Sequence, residues 1–218
     1  MIKNFKKGIT LVEIMVVVFI IALFTVILVS DFPRMLRQMG LSRVAYSFAQ
    51  NLRKAQDLGL SGIQLKDVNE ESIAVKGYGI YINLSDNDKQ YIIYADVAEA
   101  PVNGIRTSDN KYSGDSSYPL CSDVDQQAQS ENVENFMLIA DCVVEIIPMN
   151  KEDASLYISE LRNLAGYDYT SINFSPPGPV TTIDNLEDEQ VRVRVYFKNS
   201  DGAERRVYVY TSGLIDIQ

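Results

Sequence analysis

Glu13 is the residue whose surroundings point most directly to chemistry. From Ile9 to Val29 the sequence is an apolar run of 21 residues, and Glu13 is its only charged side chain. A carboxylate in a membrane-spanning helix costs about 2–3 kcal/mol at mid-span, so such residues are usually functional and usually have a partner of opposite charge. The position of Glu13 therefore predicts charge pairing rather than catalysis.

A new chain end four residues before Glu13 would supply such a partner. If the chain were cut between Gly8 and Ile9, the new amino group would lie about one helical turn from the carboxylate, or could reach the same carboxylate in a neighbouring helix. The cut would also remove three lysines and leave 17 basic and 29 acidic residues, a net charge of -12 without the termini. Either pairing would give the buried carboxylate a positively charged partner, the new amino group.

The apolar run is long enough to cross a membrane. At about 1.5 Å per residue, a helix of this length spans the roughly 30 Å of hydrocarbon. Basic residues before a span hold that end in the cytoplasm, so we expect everything after residue 30 to lie outside. A secretory signal peptide fits less well, because the run is longer than such peptides need and no A-x-A-like site follows it. The basic residues before the span are Lys3, Lys6 and Lys7.

Residues 6–13, KKGITLVE, followed by the apolar run, resemble the cleavage and methylation signal of type IV prepilins and type II secretion pseudopilins. The resemblance implies that a prepilin peptidase cuts after Gly8 and methylates Ile9. It also implies that Glu13, fifth in the mature chain, is the assembly carboxylate. The family most often has Phe at the first mature position, where this chain has Ile9.

The same resemblance implies partners and a location. The partners would be other pilin or pseudopilin subunits, the prepilin peptidase, an inner-membrane assembly platform and the membrane itself. The precursor would be a single-pass membrane protein with a cytoplasmic N-terminus, and the mature chain would join an extracytoplasmic, cell-surface filament. A membrane-anchored extracytoplasmic adhesin or ligand-binding domain is the alternative, with a tethered hydrolase third, and cleavage at Gly8 separates the first two possibilities.

A second helical pattern follows the apolar run. Pro33 predicts a kink or a short break near Phe32. Beyond it, apolar residues recur every three to four positions, which predicts a helix with one buried face. Gly59 and Gly62 bracket the expected end of this helix. The predicted buried face comprises Leu41, Val44, Ala45, Phe48, Leu52, Ala55 and Leu58.

The rest of the chain predicts antiparallel strands. Residues 73–84 alternate in polarity, residues 85–89 form a turn, and residues 90–97 return. Residues 139–149 predict a buried strand, and residues 191–198 alternate again. Asn199–Gly202 then predicts a hairpin into residues 205–213, because Asp-Gly accepts the positive φ of a tight turn. The two alternating faces are Tyr78, Ile80, Ile82 and Leu84 in one strand and Val191, Val193, Val195 and Phe197 in the other.

These patterns predict an α+β, pilin-like fold. A long N-terminal helix, transmembrane in its first half and amphipathic in its second, packs on an antiparallel β-sheet domain. The predicted organisation is a leader peptide at 1–8, the helix at 9–61 and an extracytoplasmic β-rich domain at 62–218. Its C-terminal part, with YGIYIN, YIIYAD and INFSPPGPV, resembles the GspH/FimT-like group of pseudopilins. That resemblance implies a minor pilin or pseudopilin rather than the bulk subunit.

Other candidate chemistry is sparse. The net charge of -9 disfavours nucleic-acid binding, and the absence of His removes the commonest general base and metal ligand, so we predict no catalytic residue, metal or cofactor. Cys121 and Cys142 could form a disulfide outside the cytoplasm, with two free thiols as the alternative. Residues 86–88, Asp-Asn-Asp, predict a turn rather than a calcium site. Arginines that could share one face of the final hairpin, as a solvated strand face or as a small anion-binding patch, are Arg192, Arg194, Arg205 and Arg206.

Overall fold

The chain contains one long helix whose two halves belong to different compact units. The structure, a computed structural model, describes residues 10–66, 72–73, 75–97, 111–112, 121, 141–149, 154–176 and 180–218. The helix, α1, covers Leu11–Ser61. The two units are Met1–Met39 and Gly40–Gln218, so the division falls within α1 rather than at its end.

The helix continues through Pro33, so of the kink or short break predicted there the break is excluded, and the kink stays a prediction. A proline removes one main-chain hydrogen bond and crowds the preceding turn, but the turns on either side keep their own bonds. The apolar and amphipathic segments are therefore parts of one continuous helix.

The second half of α1 has the buried face that the spacing predicts. Six of the seven predicted residues are buried, and Leu58 is half-buried. The spacing did not predict Ala49 and Gly59, which are also buried, because small side chains contribute little to a hydrophobic pattern. The buried residues of α1 are Leu41, Val44, Ala45, Phe48, Ala49, Leu52, Ala55 and Gly59.

The strands form two larger antiparallel sheets and a small two-stranded one. They are β1 (Leu65–Lys66), β2 (Ser72–Ile73), β3 (Val75–Asn83), β4 (Gln90–Val97), β5 (Cys142–Pro148), β6 (Tyr157–Arg162), β7 (Tyr169–Ser175), β8 (Val180–Ile183), β9 (Arg192–Lys198), β10 (Glu204–Tyr210) and β11 (Ile215–Ile217). The first large sheet has the order β5-β4-β3-β7-β8, and the C-terminal sheet has the order β11-β10-β9-β6. This architecture confirms the predicted α+β class with antiparallel sheets.

The first predicted hairpin is confirmed by the pairing of β3 with β4, in which Ile80 lies opposite Ile93. Between these strands, Asn83 Oδ1 accepts hydrogen bonds from the backbone of Ser85 and Asp86, and Asn87 Oδ1 accepts one from the backbone of Lys89. Side-chain oxygens that bond nearby backbone N–H groups are typical of turns. The polar residues of this segment therefore build the predicted turn.

The C-terminal hairpin is also confirmed, with one correction. Gly202 has a φ of 77°, and Asn199 Oδ1 accepts hydrogen bonds from the backbone of Asp201 and Ala203. Val191 was predicted to share a face with Val193, but it precedes β9 and its side chain is 59% exposed. The strand begins only at residue 192, so Val191 lies beyond the part of the sheet that the core covers.

The predicted strand at 139–149 is present as β5, but its middle is not buried. Cys142 and Val143 are buried, whereas Glu145 and Ile146 are exposed. The reason is its place at the edge of the first sheet, where one side of the strand has no strand neighbour in the sheet. Residues 139–140 lie outside the described part of the chain.

One continuous core joins α1 to both large sheets within the Gly40–Gln218 unit. The fully buried ring of Phe48 lies 4.9 Å from the ring of Tyr91 in β4 and 5.2 Å from that of Phe197 in β9, measured between centroids. The same cluster includes Ile80 from the first sheet and Val195 from the C-terminal sheet. The helix therefore supplies the apolar surface that both sheets cover.

A polar contact also fixes α1 against β4. The Asn51 amide donates a 2.8 Å hydrogen bond to the hydroxyl oxygen of Tyr91. Burial raises the pKa of Tyr91 to about 12, and hydrogen bonds from Asn51 and Ser47 oppose this shift. The tyrosine is therefore neutral throughout the physiological pH range, as its place in an apolar core requires.

Gly59 allows the end of α1 to approach β7 closely. A Cβ atom at this position would overlap the carbonyl oxygen of Phe174, and that backbone atom is fixed in the sheet. We expect Gly59→Ala to lower the free energy of unfolding by about 1–3 kcal/mol, as overpacked sites do. Urea titration should show a lower midpoint with an unchanged slope. Leu60→Ala, at an exposed neighbouring position, is the control, and an equal midpoint for wild type and Gly59→Ala would contradict the close packing.

Candidate processing and assembly site

The first turn of α1 is organised by Thr10. Its hydroxyl oxygen accepts a hydrogen bond from the Glu13 backbone N–H at 3.3 Å, and its carbonyl accepts from the N–H groups of Glu13 and Ile14 at 3.1 and 3.3 Å. Thr10 is therefore the N-cap of the helix. The sequence Thr-x-x-Glu is the pattern of a capping box, a local signal for the helix start that the prediction of charge pairing at Glu13 did not use.

Glu13 is exposed in this first turn. A carboxylate there interacts favourably with the positive end of the helix dipole, which gives Glu13 a local role in addition to the predicted pairing. The predicted cleavage residues Gly8 and Ile9 lie outside the described residues. The structure therefore shows where the helix starts and where Glu13 lies in it, and the predicted cleavage point comes just before this start in the sequence.

The helix that follows Glu13 exposes a long apolar surface. Leu11, Phe19 and Val26 are 76%, 67% and 71% exposed, and the large apolar residues between them are all at least 48% exposed. Exposed apolar patches of this extent on a protein mark contacts with a membrane or with other chains. The helix is long and apolar enough to cross a membrane.

The polar side chain of Thr25 is accommodated within this apolar segment. Its hydroxyl donates a 2.8 Å hydrogen bond to the carbonyl oxygen of Ile21, one turn earlier. The donor is thereby satisfied inside the helix, as a hydrocarbon environment requires. Glu13 is thus the one charged group that the segment Leu11–Val29 carries.

Comparison with known families matches this region. Residues 3–29 match the model of the prokaryotic N-terminal methylation motif. The chain carries the type IV pilin and pseudopilin signal. This signal is that of precursors processed by prepilin peptidase and assembled with other pilins. Searches of curated proteins and of solved structures returned no match.

In the globular unit of this pilin-like chain, Cys121 and Cys142 form a disulfide, with their Cα atoms 4.8 Å apart. Both residues are buried in a cluster with Tyr78, Ala95 and Val97. The bridge ties Cys121 to the start of β5 across a sequence separation of 21 residues.

We expect exported protein to contain this bridge. Closing a loop of this length should stabilise the fold by about 3 kcal/mol in the chain-entropy model. Alkylation under denaturing, non-reducing conditions followed by intact mass measurement should detect no modified cysteine, and prior reduction should add two labels and lower the urea midpoint. Two labelled cysteines without reduction would contradict the prediction.

The structure corrects the predicted grouping of the hairpin arginines. Arg205 and Arg206 are adjacent in β10, so their side chains leave opposite faces of the sheet. Arg205 lies opposite Phe197 and donates a 3.3 Å hydrogen bond to Ser42 of α1. The remaining three share the outer face of the C-terminal sheet, away from the core. They are Arg192, Arg194 and Arg206.

Proposed function

We propose that this chain is a structural subunit of a type IV pilus or a type II secretion-like filament. The observation that carries the proposal is the methylation motif at residues 3–29, followed by a capped helix with an exposed apolar surface and one carboxylate in its first turn. In this proposal prepilin peptidase cuts between Gly8 and Ile9 and methylates Ile9. The mature chain then assembles through its N-terminal helix.

The physical basis of assembly is exchange of one apolar environment for another. In the precursor, the exposed side chains of Leu11–Val29 contact lipid. In the filament they contact the same segments of neighbouring helices, and the carboxylate of Glu13 pairs with the amino group of Ile9 on a neighbour. An unpaired charge in this environment is costly. Arrangements in which neighbouring helices are shifted along one another, so that Glu13 has no partner, are therefore disfavoured.

The proposal extends to location and class of subunit. The precursor is inserted with its N-terminus in the cytoplasm, in keeping with its three leader lysines, and the unit Gly40–Gln218 faces the outside. The disulfide supports an oxidising compartment for this unit. The C-terminal resemblance to the GspH/FimT-like group favours a minor pilin or pseudopilin, working with an inner-membrane assembly platform.

Cleavage tests the proposal directly. Co-expression with a prepilin peptidase should give a mature chain that begins at Ile9, with one added methyl group, by intact mass and N-terminal sequencing. The matched control is Gly8→Val, which should stay uncleaved because its branched side chain crowds the scissile bond. A wild-type chain that keeps residues 1–8, under an enzyme that cuts a control prepilin, would instead favour a membrane-anchored adhesin or ligand-binding domain.

A further inference from the structure

The outer face of the C-terminal sheet is a charged surface that the proposed filament function leaves without a role. Val193, Val195 and Phe197 of β9 belong to the core, so the residues that alternate with them lie on the opposite side of the sheet. Strand register brings side chains from three neighbouring strands together there. We define the Arg–Tyr face as Arg162, Arg192, Arg194, Tyr196, Arg206 and Tyr208.

The arginines of this face stack on its tyrosines. The guanidinium carbons of Arg162 and Arg206 lie 4.9 and 5.2 Å from the ring centroid of Tyr196, and that of Arg192 lies 5.1 Å from the ring centroid of Tyr208. A guanidinium held against a ring keeps its N–H edge available for carboxylate oxygens. Arginine and tyrosine are also enriched at protein–protein interfaces.

Two arginines of the face form no ion pair with a carboxylate in the described part of the chain, although Glu160, whose pKa is lowered first by its hydrogen bond to Arg162, also attracts Arg194. Arg162 pairs with Glu160 at 2.6 Å, and Arg206 pairs with Glu204. Arg192 and Arg194 instead donate hydrogen bonds to neutral oxygens, those of the Tyr210 hydroxyl at 2.7 Å and the Asn163 amide at 2.5 Å. The face therefore keeps a net positive charge, because its four arginines outnumber its two carboxylates, Glu160 and Glu204.

A negatively charged surface borders the face. It is formed by the loops 163–168 and 184–190, which are joined by a bridge between Leu164 and Leu186 and by a 2.9 Å hydrogen bond from Glu187 N–H to the Asn163 carbonyl. Its carboxylates make no ion pair within residues 154–176 and 180–218. We define the acidic rim as Asp168, Asp184, Glu187, Asp188 and Glu189.

We propose that the Arg–Tyr face binds the acidic rim of a second copy of this chain. Each copy presents both signs of charge, and the arginines of one, exposed or half-buried above the buried rings of Tyr196 and Tyr208, are complementary to the carboxylates of the other, which favours association and its correct register. The face interleaves Glu160 and Glu204 with its arginines on a chain of net charge -9, and this composition fits a protein surface better than a polyanion such as nucleic acid. The contact concerns the globular units and does not depend on cleavage or on Glu13.

The test uses the full chain reconstituted at one copy per lipid nanodisc, so that the membrane segments stay apart and only globular units can meet. Association between discs is measured by sedimentation at low and high salt. Wild-type discs should associate at low salt and separate at high salt, since salt screens exposed charges. Arg192→Glu/Arg194→Glu and Glu187→Lys/Asp188→Lys should each weaken association by about tenfold or more.

Mixing the two variants is the most informative measurement, because the reversed face of one complements the reversed rim of the other, and their unaltered rim and face also complement each other. The two variants, each weakened in self-association, should associate with one another, and a pair of variants that had both unfolded would not recover. Lys66→Glu/Lys76→Glu, an equal charge change at two exposed lysines of other strands, should behave as wild type. Wild-type discs that stay separate, variants that associate like wild type, or duplex DNA that binds the face without any disc association would each overturn the proposal. None of these results would alter the mass test for cleavage after Gly8.

Discussion

Glu13→Ala is expected to leave membrane insertion intact and to reduce incorporation into filaments by about tenfold or more. Insertion depends on the apolar run, and removing a carboxylate makes that run more apolar. Incorporation depends on a charge pair with the mature N-terminus, and deleting one partner of a buried pair costs about 3–5 kcal/mol, whereas about 1.4 kcal/mol already corresponds to a tenfold change. Membrane fractionation and quantification of sheared filaments measure the two quantities separately.

Two further variants distinguish charge pairing from the helix cap seen in the structure. Glu13→Gln keeps a side chain that suits the third position of a capping box but loses the charge. Thr10→Ala loses the hydroxyl oxygen that accepts from the Glu13 backbone, at a cost of about 1 kcal/mol, but keeps the carboxylate. We expect Glu13→Gln to fail as Glu13→Ala does and Thr10→Ala to be incorporated. The reverse pattern would show that Glu13 acts by starting the helix.

The elements that sequence predicted well are those determined over a few neighbouring residues. The hairpin at Asn199–Gly202 follows from Asp-Gly chemistry, and the buried face of α1 follows from its three-to-four spacing. The methylation motif is likewise a short pattern with fixed spacing, and the family comparison matched the same region. Local information was therefore enough to identify the helix, the hairpins and the class of N-terminal signal.

The features that sequence did not predict depend on pairing between distant segments. Nothing near β3 indicates that it pairs with β7, or that β6 joins β9 in a separate sheet. Gly59 shows the same limit, because its importance comes from the Phe174 carbonyl more than a hundred residues away. The sequence predicted that the hairpin arginines could share a face, and three of them do, but the addition of Arg162 from β6 and the neighbouring acidic rim depend on strand order.

Phe48→Ala is expected to cause the largest loss of stability among the core substitutions considered. The side chain is fully buried and its ring contacts Tyr91 of the first sheet and Phe197 of the C-terminal sheet. Truncating a buried Phe costs about 3–5 kcal/mol, the sum of lost burial and a residual cavity. Natural domains are stable by only about 5–15 kcal/mol, so this one change would remove a large part of the total.

The loss of stability should affect both large sheets as well as α1, because the ring of Phe48 contacts Tyr91 of the first sheet and Phe197 of the C-terminal sheet. Because one core cluster with residues of α1 and of both sheets surrounds Phe48, urea unfolding of Phe48→Ala should stay a single transition at a lower midpoint when followed by fluorescence and by circular dichroism. Tyr46→Ala, two residues earlier and 60% exposed, should shift the midpoint by about 0.5 kcal/mol or less. Separate transitions for the two probes in the Phe48 variant would contradict a shared core that holds both sheets together without this ring.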